Sequence, residues 1–153
     1  MRRIMRYVRA TLDYALFYDI STQIQVHDYT NFDWAISVYD RRSTSGYMFS
    51  FGSATVTWSS KKQPTVALSS TEAEYRGVVV AACEVAWLKK LLQDLEIQVQ
   101  DPVVIYCDNI KSIQQAQNPL FYACTKHIEF HYHFIRERVL DRDIDLDYVG
   151  TED

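Results

Sequence analysis

Five consecutive apolar residues, Val103-Val104-Ile105-Tyr106-Cys107, constrain this chain more than any other feature. A run so short and continuous, followed directly by Asp108-Asn109, predicts a strand covered on both faces, the kind found in parallel sheets. A parallel strand needs a crossover, and the chain supplies a helix on either side. Residues 71–95 carry Tyr75, Val78, Val79, Ala82, Val85, Ala86 and Leu92 at helical spacing, and Thr71 with Glu74, or Ser69 with Glu72, could form a capping box at the start. A short helix follows Asp108-Asn109, and a further helix spans about His127 to Leu140.

The remaining elements are β-rich. Residues 23–30 alternate around Ile24 and Val26 as a strand. After a polar loop from Ser37 to Ser45, the runs Gly46–Phe51 and Ala54–Ser60 flank Gly52-Ser53, which reads as a hairpin closed by Gln63-Pro64. Ile144, Leu146 and Tyr148 alternate as a last strand. The order of three strands, helix, strand, two helices and strand defines an α/β fold with a mixed sheet flanked by helices. Residues 1–18 form an amphipathic helix, with Ile4, Tyr7, Val8, Leu12, Ala15 and Leu16 opposite the arginines and no partner of its own.

Charge and cysteine content narrow the function classes. Arg2, Arg3, Arg6 and Arg9 lie in the first nine residues, leaving 12 basic against 20 acidic residues in the body. A body at about −8 binds nucleic acid only through local patches or a divalent metal. The longest apolar run, Val78–Cys83, is far short of the roughly 18 residues of a membrane span. The basic start lacks the apolar stretch of a secretory signal. Cys83, Cys107 and Cys124 form no Cys-x-x-Cys pair, which fits a reduced intracellular compartment rather than a secreted protein.

Carboxylates are the candidate chemistry. Asp108 ends the buried strand, where open α/β sheets place functional groups, although the same position suits a helix N-cap. Measured from Tyr75 at about 100° per residue, Glu72 lies about 60° towards the apolar stripe and Glu74 about 100° to the other side. Glu72 and Asp108 converging at one sheet edge would bind Mg²⁺, with Asp28, Asn31 and Asp33 as possible third contributors.

These residues sit in longer motifs. Asp40-Arg-Arg-Ser-Thr-Ser-Gly-Tyr47, Trp58-Ser-Ser-Lys-Lys-Gln-Pro64, Ser69-Ser-Thr-Glu-Ala-Glu-Tyr75, Ile105-Tyr-Cys-Asp-Asn109, Thr125-Lys-His-Ile-Glu129 and His133-Phe-Ile-Arg-Glu137 occur in this order. Together, over about residues 24–153, they resemble the ribonuclease H domain ending the Pol polyprotein of copia-type LTR retrotransposons, plant ones in particular. Arg3 to Tyr14 resembles the connection from the reverse transcriptase. The resemblance implies a fragment of that connection over 1–22. It also implies a ribonuclease H-like domain over 23–153, truncated before its last helix. The expected sheet has five strands, three antiparallel and then parallel ones.

The resemblance further implies hydrolysis of the RNA strand of an RNA–DNA hybrid, using two Mg²⁺ (or Mn²⁺) ions held by four carboxylates. By motif, Glu72 is the helix carboxylate and Asp108 the one ending the fourth strand. Family members read Tyr-(Ser/Thr)-Asp-Ala-Asp-Trp-Ala where this chain has Tyr29-Thr-Asn-Phe-Asp-Trp-Ala35, so Asn31 stands in place of the first aspartate. Asp33 is about 6.6 Å further along an extended chain and a poor substitute. The fourth acid is expected a few residues beyond Asp153. These departures imply weakened metal binding and a nuclease that is degenerate or inactive. The alternative is a non-catalytic module that binds nucleic acid or a polymerase. The implied partners are an RNA–DNA hybrid and the reverse transcriptase of the same polyprotein. The implied location is cytoplasmic, in virus-like particles, or nuclear.

Other features carry two readings each. Arg41-Arg42 and Lys61-Lys62, in loops near Trp34 and Trp58, could grip a hybrid backbone; equally, Trp58 could be core and the lysines a solvated strand end. Lys126 and His127 belong to a family motif and suit packing or substrate contact. Cys124, His127 and His131 resemble a zinc site lacking its fourth ligand. Lys89-Lys90 reads as a solvated helix face, Tyr132 and His133 as helix-face residues, and most of the eleven tyrosines as packing. Ser43, Ser69 and Ser70 lack a nucleophile elbow.

Overall fold

The structure is a computed structural model that describes residues 2–18, 26–33, 39–117 and 126–150, without the side chains of 31–33, 115 and 126–129. In chain order the elements are α1 (Arg2–Ala10), β1 (Val26–Asp33), β2 (Thr44–Phe51), β3 (Ala54–Lys62), α2 (Ser70–Asp94), β4 (Val103–Cys107), α3 (Ile110–Gln117), α4 (Lys126–Leu140) and β5 (Ile144–Tyr148). The strands form one sheet in the order β3-β2-β1-β4-β5. β1, β2 and β3 pair antiparallel, and β4 lies parallel to both β1 and β5. This is the expected mixed sheet. No helix among the described residues is long and apolar enough to cross a membrane.

The hairpin turns at Gly52, whose φ of 61° costs a residue without a Cβ nothing. β3 carries a bulge: Phe49 pairs with Thr57 and Ser50 with Thr55, so Val56 is left out of the register. Two strand boundaries differ from expectation. β1 runs on to Asp33 because its ladder with β2 continues through Asn31↔Gly46 to Asp33↔Thr44. Lys61 and Lys62 belong to β3, paired with Ser45 and Thr44, and not to a loop. Backbone pairing extends both strands through polar residues that apolar alternation does not mark.

α2 lies against the centre of the sheet. Its buried residues are Ala73, Tyr75, Gly77, Val78, Ala81, Ala82, Val85 and Leu88. Four of them are Ala or Gly, which lets the helix axis sit close to β1, β2 and β4. The valines and Leu88 fill the gaps against Phe49, Val103 and Ile105. Ser69 caps the helix, its hydroxyl accepting from the Glu72 amide at 3.1 Å. α2 and α4 end alike. Ile97 N–H bonds the Leu92 carbonyl and Asp143 N–H the Arg138 carbonyl, with Glu96 (φ 61°) and Arg142 (φ 58°) in the left-handed region between. Asp143 ties the layers together, at 3.2 Å from Lys89 and 2.8 Å from Arg138. Burial alone would raise its carboxyl; the bonds from Arg138 and Lys89 outweigh that and hold it below the usual range. Lys89 is therefore a paired residue of the packing, and Lys90 alone of that pair is exposed.

β4 is covered more fully on one face than on the other. Val103, Ile105 and Cys107 are buried, whereas Val104 and Tyr106 are half-covered. Tyr106 stacks on Tyr29 at 5.1 Å on the second face, which also carries the half-exposed Met48 and, at 69% exposure, Trp58. Trp58 is thus not core. Among the tyrosines Tyr75 is buried against Tyr132, but Tyr7, Tyr14, Tyr18, Tyr29, Tyr39 and Tyr148 are exposed, so the packing reading fails for most of them. α1 ends at Ala10, short of the expected residue 18, and none of its residues is buried.

One core residue is a carboxyl. Asp28 is fully buried, with one oxygen accepting from Met48 N–H at 3.0 Å and the other without a partner. Burial pushes its pKa up to about 8, against the opposing backbone bonds, and Glu84 on α2 adds to the rise. Folding therefore holds a proton on a group that ionises near 3.8 in the open chain. Its contribution to stability should be complete below about pH 4 and decline steadily as pH rises towards about 8. Chemical unfolding from pH 4 to 8 should show this slope, and Asp28→Asn should flatten it and stabilise the protein at pH 7.5.

Candidate active site

The chemistry-bearing residues gather at the end of β4. The strand stops at Cys107, and α3 begins at Ile110. Asn109 caps that helix: its Oδ1 accepts from Lys111 N–H at 2.8 Å and Ser112 N–H at 3.2 Å. The cap role considered for Asp108 is thus taken by its neighbour, leaving Asp108 exposed at the sheet edge. With Oδ1 committed to two amides, the Asn109 amide nitrogen is the atom that donates. Its acceptor is Glu74.

This overturns the expected pairing of Glu72 with Asp108. Glu72 turns away from the sheet edge. One of its oxygens is 2.6 Å from Arg76 Nη2, in an ion pair whose side chains are only 10% and 15% exposed, and the other accepts from Leu68 N–H at 2.8 Å. It lines a cavity with Thr65, Leu68 and His131. Glu74 has the environment expected of Glu72. Burial raises its carboxyl above the usual range, the Asn109 bond lowers it, and the nearby Asp108 charge raises it again. Its second oxygen is buried without a partner. The helix phase explains why. At about 100° per residue, Val78, Ala81, Val85 and Leu88 all fall within roughly 40° of Glu74, and Glu72 falls about 160° away. Tyr75 sits on the flank of the buried stripe and not at its centre, so an angle measured from Tyr75 favours the wrong acid.

The third position follows from register. Asp28 pairs with Ile105 and Tyr29 with Tyr106 in the parallel ladder. Two residues further along both strands are Asn31 and Asp108, on adjacent strands about 4.8 Å apart. Asp28, one of the other candidates, points into the core and cannot serve this edge; the Asp33 side chain lies outside the described residues. At the same end, Phe32 pairs with Ser45 and Ser45 with Lys61, so Lys61 and Lys62 stand two strands from β1, about 10 Å away. Both lysines are exposed, with Lys62 3.1 Å from Asp40. Arg41 and Arg42 are exposed in the turn before β2. Lys126 and His127 open α4, and their side chains, like Cys124, lie outside the described residues, so the zinc reading does too. Among the described residues no three His, Cys, Asp or Glu form a group able to hold a metal.

The described donor set at this edge is two carboxylates, Glu74 and Asp108, with the backbone of Asn31 on the adjacent strand. A buried carboxylate oxygen with no partner, close to a second anion, fits a hard cation better than it fits solitude. Cys107 is no rival nucleophile: burial first, then Asp108 and Glu74, push its thiol up to about 11.

The sheet order and flanking helices give the chain a ribonuclease H-like fold. The chain superimposes on LC11-RNase H1 in complex with an RNA/DNA hybrid with a TM-score of 0.60 at 14% identity, covering 84% of this chain and 87% of that one. It matches the foamy viral protease–reverse transcriptase in complex with an RNA/DNA hybrid at 0.60 and 17%, covering 91% of this chain and 19% of that one. In sequence, the whole chain is 40% identical to part of the retrovirus-related Pol polyprotein from transposon RE2 of Arabidopsis thaliana, covering 10% of it. It is 39% identical over 98% of its length to the Pol polyprotein from transposon TNT 1-94 of Nicotiana tabacum, covering 11%. The chain spans about a tenth of the length of each of these two polyproteins. No protein-family model matches it.

Asn109 joins the cap of α3 to the carboxylate of α2. Asn109→Ala should cost about 1 kcal/mol in urea unfolding through the lost cap, whereas Asn109→Ser, which restores a capping oxygen, should recover most of it.

Proposed function

We propose that this chain is the ribonuclease H part of a copia-type Pol polyprotein, built to bind an RNA–DNA hybrid across the sheet end that carries Glu74 and Asp108, with cleavage of the RNA strand weakened by Asn31. The observation that carries the reading is the Glu74 carboxylate, seated by Asn109 beside Asp108 with one oxygen unspent. Glu74 and Asp108 would hold Mg²⁺ or Mn²⁺. Bound there, the metal supplies Lewis-acid activation of water and charge stabilisation at the leaving oxygen. Asn109 fixes the direction of the Glu74 carboxylate. Lys61 and Lys62, with Arg41 and Arg42, offer charge to the sugar-phosphate backbone at the same end of the sheet. Asn31 offers a neutral oxygen where the family motif has an anion, which lowers the attraction for two dications.

The relatives support a polyprotein context in which a reverse transcriptase domain is the neighbour. A binding module without turnover rests on the same basic strand end, and the Asn31 amide is the observation favouring it.

A labelled hybrid incubated with the chain and Mg²⁺ or Mn²⁺ separates these readings. Salt-dependent binding with slow cleavage is expected, and Asn31→Asp should raise the rate about a hundredfold, the order of a lost electrostatic contact in a transition state. Glu74→Gln should abolish what cleavage remains, whereas Glu72→Gln should leave it within a fewfold. An unchanged rate in Asn31→Asp, or loss confined to Glu72→Gln, would overturn the assignment.

A further inference from the structure

α1 is amphipathic and, among the described residues, has nothing packed over it. Ile4, Tyr7 and Val8 lie on one arc, Arg2, Arg3, Arg6 and Arg9 on the other, and no residue is buried. A helix of nine residues is marginal in water without a partner. The segment that leads away from it is anchored: Ser53 Oγ donates to the Phe17 carbonyl at 3.4 Å, and the Tyr18 hydroxyl donates to the Thr55 carbonyl at 2.9 Å. Both anchors lie at the β2–β3 turn.

Next to that turn is an open groove of about 220 Å³ whose lining, among the described residues, is apolar: Phe51, Val56, Leu88, Leu91, Leu92 and Ile97, with Val26. The bulge in β3 is what adds Val56 to this wall. Leu91 remains 39% exposed and Val56 42%, so no described residue covers them fully. Asp94 and Glu96 stand exposed at the same end of α2.

We propose that α1 folds back into this groove, its Ile4–Tyr7–Val8 face against Leu91 and Val56 and its arginines facing Asp94 and Glu96. Three observations converge on this occupant. The apolar arc of the helix matches the apolar wall, the arginines match the acidic end of α2, and residues 11–16 join α1 to a point on the groove's rim. Those six residues span up to roughly 20 Å, more than the length of α1, about 13 Å. The tether also gives α1 an effective concentration in the millimolar range, which favours it over a second copy at micromolar chain.

Hydrogen exchange of the intact chain, read by mass spectrometry at low micromolar concentration, tests the proposal. Amides of residues 4–10 should exchange at least about tenfold slower than an open chain. Leu91→Asp in the groove and Ile4→Asp on the helix should each remove that protection while β4 stays protected. The second variant changes a solvated position, so it leaves the domain folded in any case. Exchange of α1 at the open-chain rate in the unaltered chain would overturn the proposal. So would protection that survives both substitutions, or protection that grows with chain concentration, which would place a second copy in the groove.

Discussion

The close approach of α2 to the middle of the sheet is the contact on which the rest of this structure depends. Ala73, Gly77, Ala81 and Ala82 bring the helix backbone near β1, β2 and β4, and Val78 and Val85 lock the phase of the contact. That phase sends Glu74 towards the end of β4 and Glu72 outwards to Arg76. A bulkier side chain at Ala81 would lift the helix and carry the Glu74 carboxylate away from Asn109, so a packing change remote from the sheet edge would be felt there.

Legible from the residues alone was whatever carries a strong local signal. The Val103–Cys107 run, the Gly52-Ser53 hairpin and the length of α2 are each written in a few adjacent residues. The end of β1 and the strand character of Lys61-Lys62 are not, because hydrogen bonds to β2 extend those strands through polar residues. The confusion of Glu72 with Glu74 has a similar origin. Both acids follow a capping serine closely, and only the full set of buried positions, Val78, Ala81, Val85 and Leu88, fixes which one faces the sheet. Asn109 is hard to recognise as the cap because Asp108, an equally good capping residue, precedes it. The aromatic surface formed by Tyr29, Tyr106 and Trp58 is illegible for another reason: whether a large apolar residue is buried depends on what covers it, and no neighbouring residue reports that.

At the sheet edge the chain sets charge against geometry. Burial and the Asp108 charge both penalise the Glu74 carboxylate, and Asn109 only partly offsets them. Such an anion is costly to keep, held by burial beside the charge of Asp108.

The two helix exits carry backbone strain. Glu96 and Arg142 each hold a left-handed backbone while carrying a Cβ, a conformation costing on the order of 1 kcal/mol that is released as soon as the last turn frays. Opening at Arg142 also slackens the link through Asp143 between α4 and α2, and with it the docking of the edge strand β5. Fraying at Arg142 would thus act on the β5 side of the sheet, far from the acidic edge.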